Sequence, residues 1–191
     1  IKAGKISQEV RAYILDIVKP GIKLVDLAEL IHEKIEALGG KAAFPVNLSI
    51  DDVAAHFHPL HNDVRVTEGL LKVDFGIQVN GYIADSAISI DLTKDKKYTA
   101  LIVAVESALE NVLKILESNP SLHDIGATIQ KTIQAVGFSP VINLSGHSID
   151  RYKIHAGITL PNYGKGNHAT LPAGVYAIEP LSEVSAPGPH P

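Results

Sequence analysis

The sequence contains no cysteine and no methionine. Without cysteine there is no disulfide framework and no thiolate metal site, which suits a cytoplasmic protein. No apolar run reaches the roughly 18 residues of a membrane span, and no signal-peptide pattern opens the chain. Strong charge is missing too: a formal net charge of −4 over 191 residues offers no basic footprint for nucleic acid or an anionic membrane. What is present, 46% hydrophobic and 20% charged residues, describes a globular chain able to bury a sizeable core. Two features bear on completeness. The first residue is not methionine, and the chain stops on SAPGPHP, a loop-like stretch with no closing element. The expectation is a single domain that is incomplete at its C-terminus.

The chain repeats itself. VDLAELIHEKIEALGG (25–40) and HDIGATIQKTIQAVGF (123–138) align at an offset of 98. Asp26 then matches Asp124, Ile31 matches Ile129, Ile35 matches Ile133, and Gly39 matches Gly137. Each stretch follows a proline turn and leads into an Asn-Leu-Ser segment, FPVNLS at 44–49 and FSPVINLS at 138–145. Coincidence between two amphipathic helices is the alternative, but the shared order favours half-repeats of about 1–94 and 95–191. Apolar spacing predicts helices over 1–18, 24–38, 95–117 and 122–136. Strand-like material fills 44–92 and reappears up to VYAIEP (175–180). Helices followed by antiparallel strands predict an α+β fold, with helices packed on one face of a curved sheet.

Between residues 72 and 92 the chain reads KVDFGIQVNGYIADSAISIDL. Asn80-Gly81 is a strong hairpin signal, because a type I′ turn needs positive φ at both central residues. With that turn Asp74 opposes Ala87 and Asp85 opposes Gly76, and all four side chains share one face. The two aspartates become diagonal neighbours roughly 7–8 Å apart at the backbone. Gly76 and Ala87, being small, leave room between them. Two carboxylates so placed repel unless a proton or a cation intervenes, or unless both lie on the solvent face. Carboxylate oxygens at this separation suit one or two hard or borderline cations. The second half supplies further donors: His147 after a Ser-Gly bend, His155 before Ala-Gly, and Glu179 in the strand AIEP. Of the other histidines, His58 and His61 sit in a loop after His56 and border the site entrance, His32 and His123 occupy helical surface positions, and His168 and His190 lie in loops.

These segments resemble the methionine aminopeptidases of archaea, called type 2 in eukaryotes. The resemblance runs from about residue 1 to 184 and rests on AFPVNLSIDDVAAHFHP, KVDFGIQVNGYIADSA, NLSGHSIDRYKIHAGITLPN and VYAIEP. It implies the pseudo-symmetric pita-bread fold and removal of the initiator methionine from nascent polypeptides. It also implies two divalent ions (Co, Mn, Fe or Zn), with Asp74 holding one, Asp85 bridging both, and His147 and Glu179 holding the other. His56 matches the histidine near the scissile amide nitrogen and His155 the one near the substrate carbonyl. Phe44 and Ile154 match apolar positions of the pocket for the methionine side chain. A water held between two cations becomes a nucleophile near neutral pH, and the ions and His155 stabilise the developing oxyanion. The implied protein is a cytoplasmic monomer that binds nascent N-termini and neither nucleic acid nor membrane.

Two departures stand out. The family's fifth ligand, a bridging glutamate on a strand returning beside VYAIEP, has no counterpart in these residues. That predicts weak binding of the second ion by this stretch alone. The family also carries one more residue in TEGLLKVDFG and in PAGVYAIEP, each just after a glycine, Gly69 and Gly174. A lost methionine at each place accounts for both in a chain that has none. A genuine deletion would instead shift the strand and turn the downstream acids to the wrong face. Two other functions compete: a pita-bread dipeptidase of the proline-dipeptidase type, and a metal-free pita-bread protein used for binding. NLSGHSI…HAG argues against the first, and the presence of Asp74, Asp85, His147 and Glu179 against the second.

Overall fold

The computed structural model describes residues 1–165 and 167–184. The SAPGPHP tail, residues 185–191, with His190, lies outside the described residues. The chain divides into two compact units. One comprises residues 1–98 with 150–154, the other residues 99–149 with the described residues from His155 on.

In the first unit, helices α1 (Lys2–Ile17) and α2 (Leu24–Ala37) precede strands β1 (Lys41–Ala42), β2 (Asn47–Ile50), β3 (Leu70–Val79) and β4 (Tyr82–Asp91). Ala3, Ile6, Val10 and Ile14 form the buried stripe of α1, and Leu24, Leu27, Ala28, Ile31 and Ile35 that of α2. Both follow the three-and-four spacing of a helix with one apolar face. α1 ends where the backbone turns extended at Val18, two residues before Pro20. β3 is the centre of an antiparallel sheet, with β4 along one side and β1 and β2 on the other. Its odd residues Leu71, Val73, Phe75 and Ile77 are fully buried in one core with the helix stripes. Its even residues occupy the opposite face, as period-two alternation requires. The Ser7 and Ser86 hydroxyls, 2.6 Å apart, join α1 to β4 on the core side.

In the second unit, α3 (Thr99–Ile115) and a short 3-10 turn (Leu116–Ser118) lead to α4 (Leu122–Gln134) and β5 (Ser139–Pro140). Strands β6 (Ser145–Ile149), β7 (Thr159–Pro161), β8 (Val175–Ala177) and β9 (Ser182–Glu183) follow. β6 is flanked by β7 and β8, antiparallel to both, and β5 pairs with β9. Ala108, Val112, Leu122, Ile125, Ile129, Ile133 and Leu160 form the core. A capping box starts α4: Ser121 Oγ accepts from the Asp124 N–H, and the Asp124 carboxylate accepts from the Ser121 N–H.

The offset of 98 reaches down to individual hydrogen bonds. At the end of α2, the Gly39 N–H donates to Glu36 O and the Gly40 N–H to Ile35 O. At the end of α4, the Gly137 N–H donates to Gln134 O and the Phe138 N–H to Ile133 O. Gly39 and Gly137 have φ of 79° and 84°, so both ends are Schellman motifs built on a left-handed glycine. At the start of these helices the Leu24 N–H donates to Arg65 O and the Leu122 N–H to Ala169 O. Each half thus anchors its second helix to a returning loop in the same way.

The strand-like reading of 44–92 needs correction between Asp51 and Gly69, which form an irregular loop. That loop is held by side chains: Asp51 Oδ1 accepts from the Leu70 N–H at 2.8 Å, and Thr67 Oγ1 donates to Lys19 O at 2.6 Å. His32 and His123 are half-buried rather than on the surface. His32 Nε2 accepts from the Val46 N–H at 3.4 Å, and burial, then the nearby His58, hold its pKa below the usual range. The His123 ring stacks on His168 with centroids 4.4 Å apart, because the loop after Tyr163 folds back over the start of α4.

Candidate metal centre

The hairpin of β3 and β4 has the register expected from its turn: Asp74 faces Ala87, Gly76 faces Asp85, and Val79 faces Tyr82. Asn80 and Gly81 have φ of 52° and 83°, the two left-handed centres of a type I′ turn. Asp74 and Asp85 therefore lie on the face opposite the core, and both are half-buried. Burial pushes the Asp74 carboxyl above its ordinary range, opposed by a hydrogen bond from Asn47 and by the charge of His56. Burial and then the negative charge of Asp74 push Asp85 up to about 7, opposed by the Ser86 N–H. Two carboxylates that resist ionisation beside each other are a site asking for positive charge. Asp74 has not been turned into the core, so the residue missing after Gly69 relative to the resembled family does not flip the acid face.

The room between the acids is partly filled. A Cβ on Gly76 would overlap Cε1 and Cδ1 of the Phe44 ring, which packs against the glycine. Gly76 thus seats an aromatic wall beside the carboxylates, where the small residue had suggested only a gap. His56 sits on the loop after β2 with φ of 64° and is exposed. Its neighbour Phe57 is fastened to β2, since the Leu48 N–H donates to Phe57 O at 2.7 Å. Ile154 is half-buried and ends the segment 150–154 of this unit. That segment is tied to the hairpin turn by the Tyr152 N–H to Gly81 O at 2.9 Å and Arg151 Nε to Asn80 O at 3.0 Å.

The second unit groups its own donors. His147 stands in β6, not at a bend, with its Nε2 3.1 Å from Glu179 Oε1. The His155 ring meets the His147 ring edge-on at 4.3 Å between centroids. Glu179 lies two residues beyond β8 rather than within a strand. β8 pairs with β6 alone, among the described residues, and Pro180 has no N–H to extend the ladder. Gly146 lets β8 approach, because a Cβ there would overlap Ala177 O. Imidazole nitrogen and carboxylate oxygen in the second unit, and paired carboxylates in the first, are donors suited to Mn, Fe, Co or Zn. The residue overlooked in the sequence is Asn47, whose Nδ2 donates to Asp74 Oδ2 at 3.2 Å. Only the β2–β3 register, which sets Asn47 opposite Asp74, reveals it.

Comparison with known proteins agrees with this architecture. The chain is 45% identical over 190 residues to a methionine aminopeptidase of Thermococcus onnurineus, covering 97% of this chain and 64% of that protein. It is 39% identical over 181 residues to a methionine aminopeptidase of Methanothermus fervidus, covering 87% of this chain and 96% of that protein. A solved methionine aminopeptidase from Rickettsia prowazekii superposes with a TM-score of 0.83 at 26% identity, over 96% of this chain and 78% of that one. The fold is therefore the pita-bread fold that the resemblance implied. The match to the family itself spans residues 1–189, and the chain belongs to metallopeptidase family M24.

Proposed function

We propose that this protein is a metal-dependent aminopeptidase that removes the N-terminal methionine from nascent polypeptides in the cytoplasm, acting as a monomer. The observation that carries the reading is the half-buried pair Asp74 and Asp85, neighbours on one face of the hairpin, with Asp85 pushed up to about 7. Ionising both is costly unless cations sit between them. In this reading Asp74, Asp85, His147 and Glu179 would hold the ions. The fit rests on donor chemistry: carboxylate oxygens and imidazole nitrogen suit Co, Mn, Fe or Zn. When bound, the ions supply a water nucleophile and polarise the scissile carbonyl.

The chain's own groups do the rest. His155 donates to the substrate carbonyl oxygen as negative charge develops there. His56 serves the scissile nitrogen, which must gain a proton to leave as an amine. Phe44, seated on Gly76 beside the acids, and Ile154 form apolar wall for an unbranched side chain such as methionine. The test is a peptide panel on the full-length protein with Mn²⁺ or Co²⁺. Release of methionine from Met-Ala-Ser, with no cleavage of Ala-Pro and loss of activity in Asp85→Asn, is the expected outcome. Cleavage of Ala-Pro in preference would reassign the protein to the proline-dipeptidase type. No metal-dependent cleavage of either would leave a binding protein.

A further inference from the structure

We infer that Asn47 is a positioning residue that orients the Asp74 carboxylate toward a bound cation; the inference rests on the metal-centre reading above. β2 is only four residues long, yet its register on β3 is tightly specified. Val46, just before the strand, and Leu48 within it are both fully buried in the core, so their side chains point away from the acid face. A slip of one residue would drive Asn47 into that core and expose Leu48. Asn47 is thereby set directly opposite Asp74, and its Nδ2 donates to Oδ2 at 3.2 Å.

The chemistry of the donor matters. A lysine or arginine at this place would neutralise Asp74 and compete with a cation for it. An amide N–H steadies the carboxylate without supplying a countercharge, and leaves the negative charge to attract the ion. It also fixes the rotation of the carboxylate plane, committing one lone pair of Oδ2 and directing Oδ1 elsewhere. Partners of this kind, one step removed from an ion, typically change metal affinity by about 10–100-fold. β2 supports the site a second way, since Leu48 and Ser49 hold Phe57 beside His56.

The experiment is calorimetric titration of Mn²⁺ into the metal-stripped full-length protein, for wild type, Asn47→Ala and the nearly isosteric Asn47→Leu. Thermal midpoints are read in parallel in the absence of metal. A positioning role predicts at least about tenfold weaker Mn²⁺ binding in both variants, with the metal-free midpoint of Asn47→Leu within about 2 °C of wild type. If the wild type binds Mn²⁺ and both variants bind it equally well, the inference is overturned while the metal centre stands. Weakened binding that tracks a matching loss of metal-free stability in Asn47→Leu also overturns it, because a structural role suffices. A wild type that binds no Mn²⁺ removes the metal-centre reading and the inference together. Should Asn47→Ala fail to fold, Asn47→Leu decides alone.

Discussion

Replacing Asp85 by asparagine should stabilise the metal-free protein above neutral pH while abolishing its affinity for metal. The carboxyl has a pKa of 3.8 when unperturbed and about 7 in the fold. Between those values the native chain holds one proton more than the unfolded chain, so wild-type stability falls as pH rises from about 4 to about 7. The difference between the two values corresponds to about 4 kcal/mol at 1.36 kcal/mol per pKa unit, a ceiling that residual water contact lowers. Asparagine keeps an oxygen that can accept from the Ser86 N–H and removes both the buried charge and its repulsion with Asp74. Denaturant unfolding in EDTA should therefore show Asp85→Asn about 2–4 kcal/mol more stable than wild type at pH 8, and nearly equal to it below pH 4. Adding Mn²⁺ should reverse the order, because a ligand that binds only the native state stabilises it by mass action. An Asp85→Asn variant less stable than wild type at pH 8 in EDTA would show that the Asp85 charge is not costly in the metal-free fold. So would a stability difference that does not change with pH.

Gly76→Ala would place a methyl group in overlap with Cε1 of the Phe44 ring. Overpacking of this kind costs about 1–3 kcal/mol, and displacement of the ring should raise KM for methionine peptides more than it lowers kcat. Steady-state kinetics and thermal melts report the two effects separately. Ser121→Ala removes half of the α4 capping box, for an expected loss of about 1 kcal/mol. Urea unfolding should register that loss with Mn²⁺ affinity unchanged.

Much of the architecture could be read from local chemistry. The hairpin register followed from Asn80-Gly81, because few other residue pairs tolerate two left-handed centres. The helix stripes followed from spacing, and the ends of α2 and α4 from Gly39 and Gly137. The stretch from residue 51 to 69 looks strand-like in sequence but is an irregular loop. Its path is set instead by side-chain bonds from Asp51 and Thr67 to distant backbone, which no local pattern records. The apolar neighbours in AIEP make Glu179 look like a strand residue, but β8 has one hydrogen-bonded neighbour among the described residues and stops at Ala177. The Phe44 ring on Gly76 and the Asn47 bond to Asp74 depend on where β1 and β2 dock along β3. Such docking is visible only once the sheet is assembled.

We propose that Asp74, Asp85, His147 and Glu179 hold divalent cations. Crystals of the full-length protein grown with Mn²⁺, measured at a wavelength where manganese scatters anomalously, decide this. Anomalous peaks are expected within coordination distance of these four side chains, one of them touching Asp85. Peaks elsewhere, or none at these residues in a map that shows ordered side chains there, would rule the metal centre out.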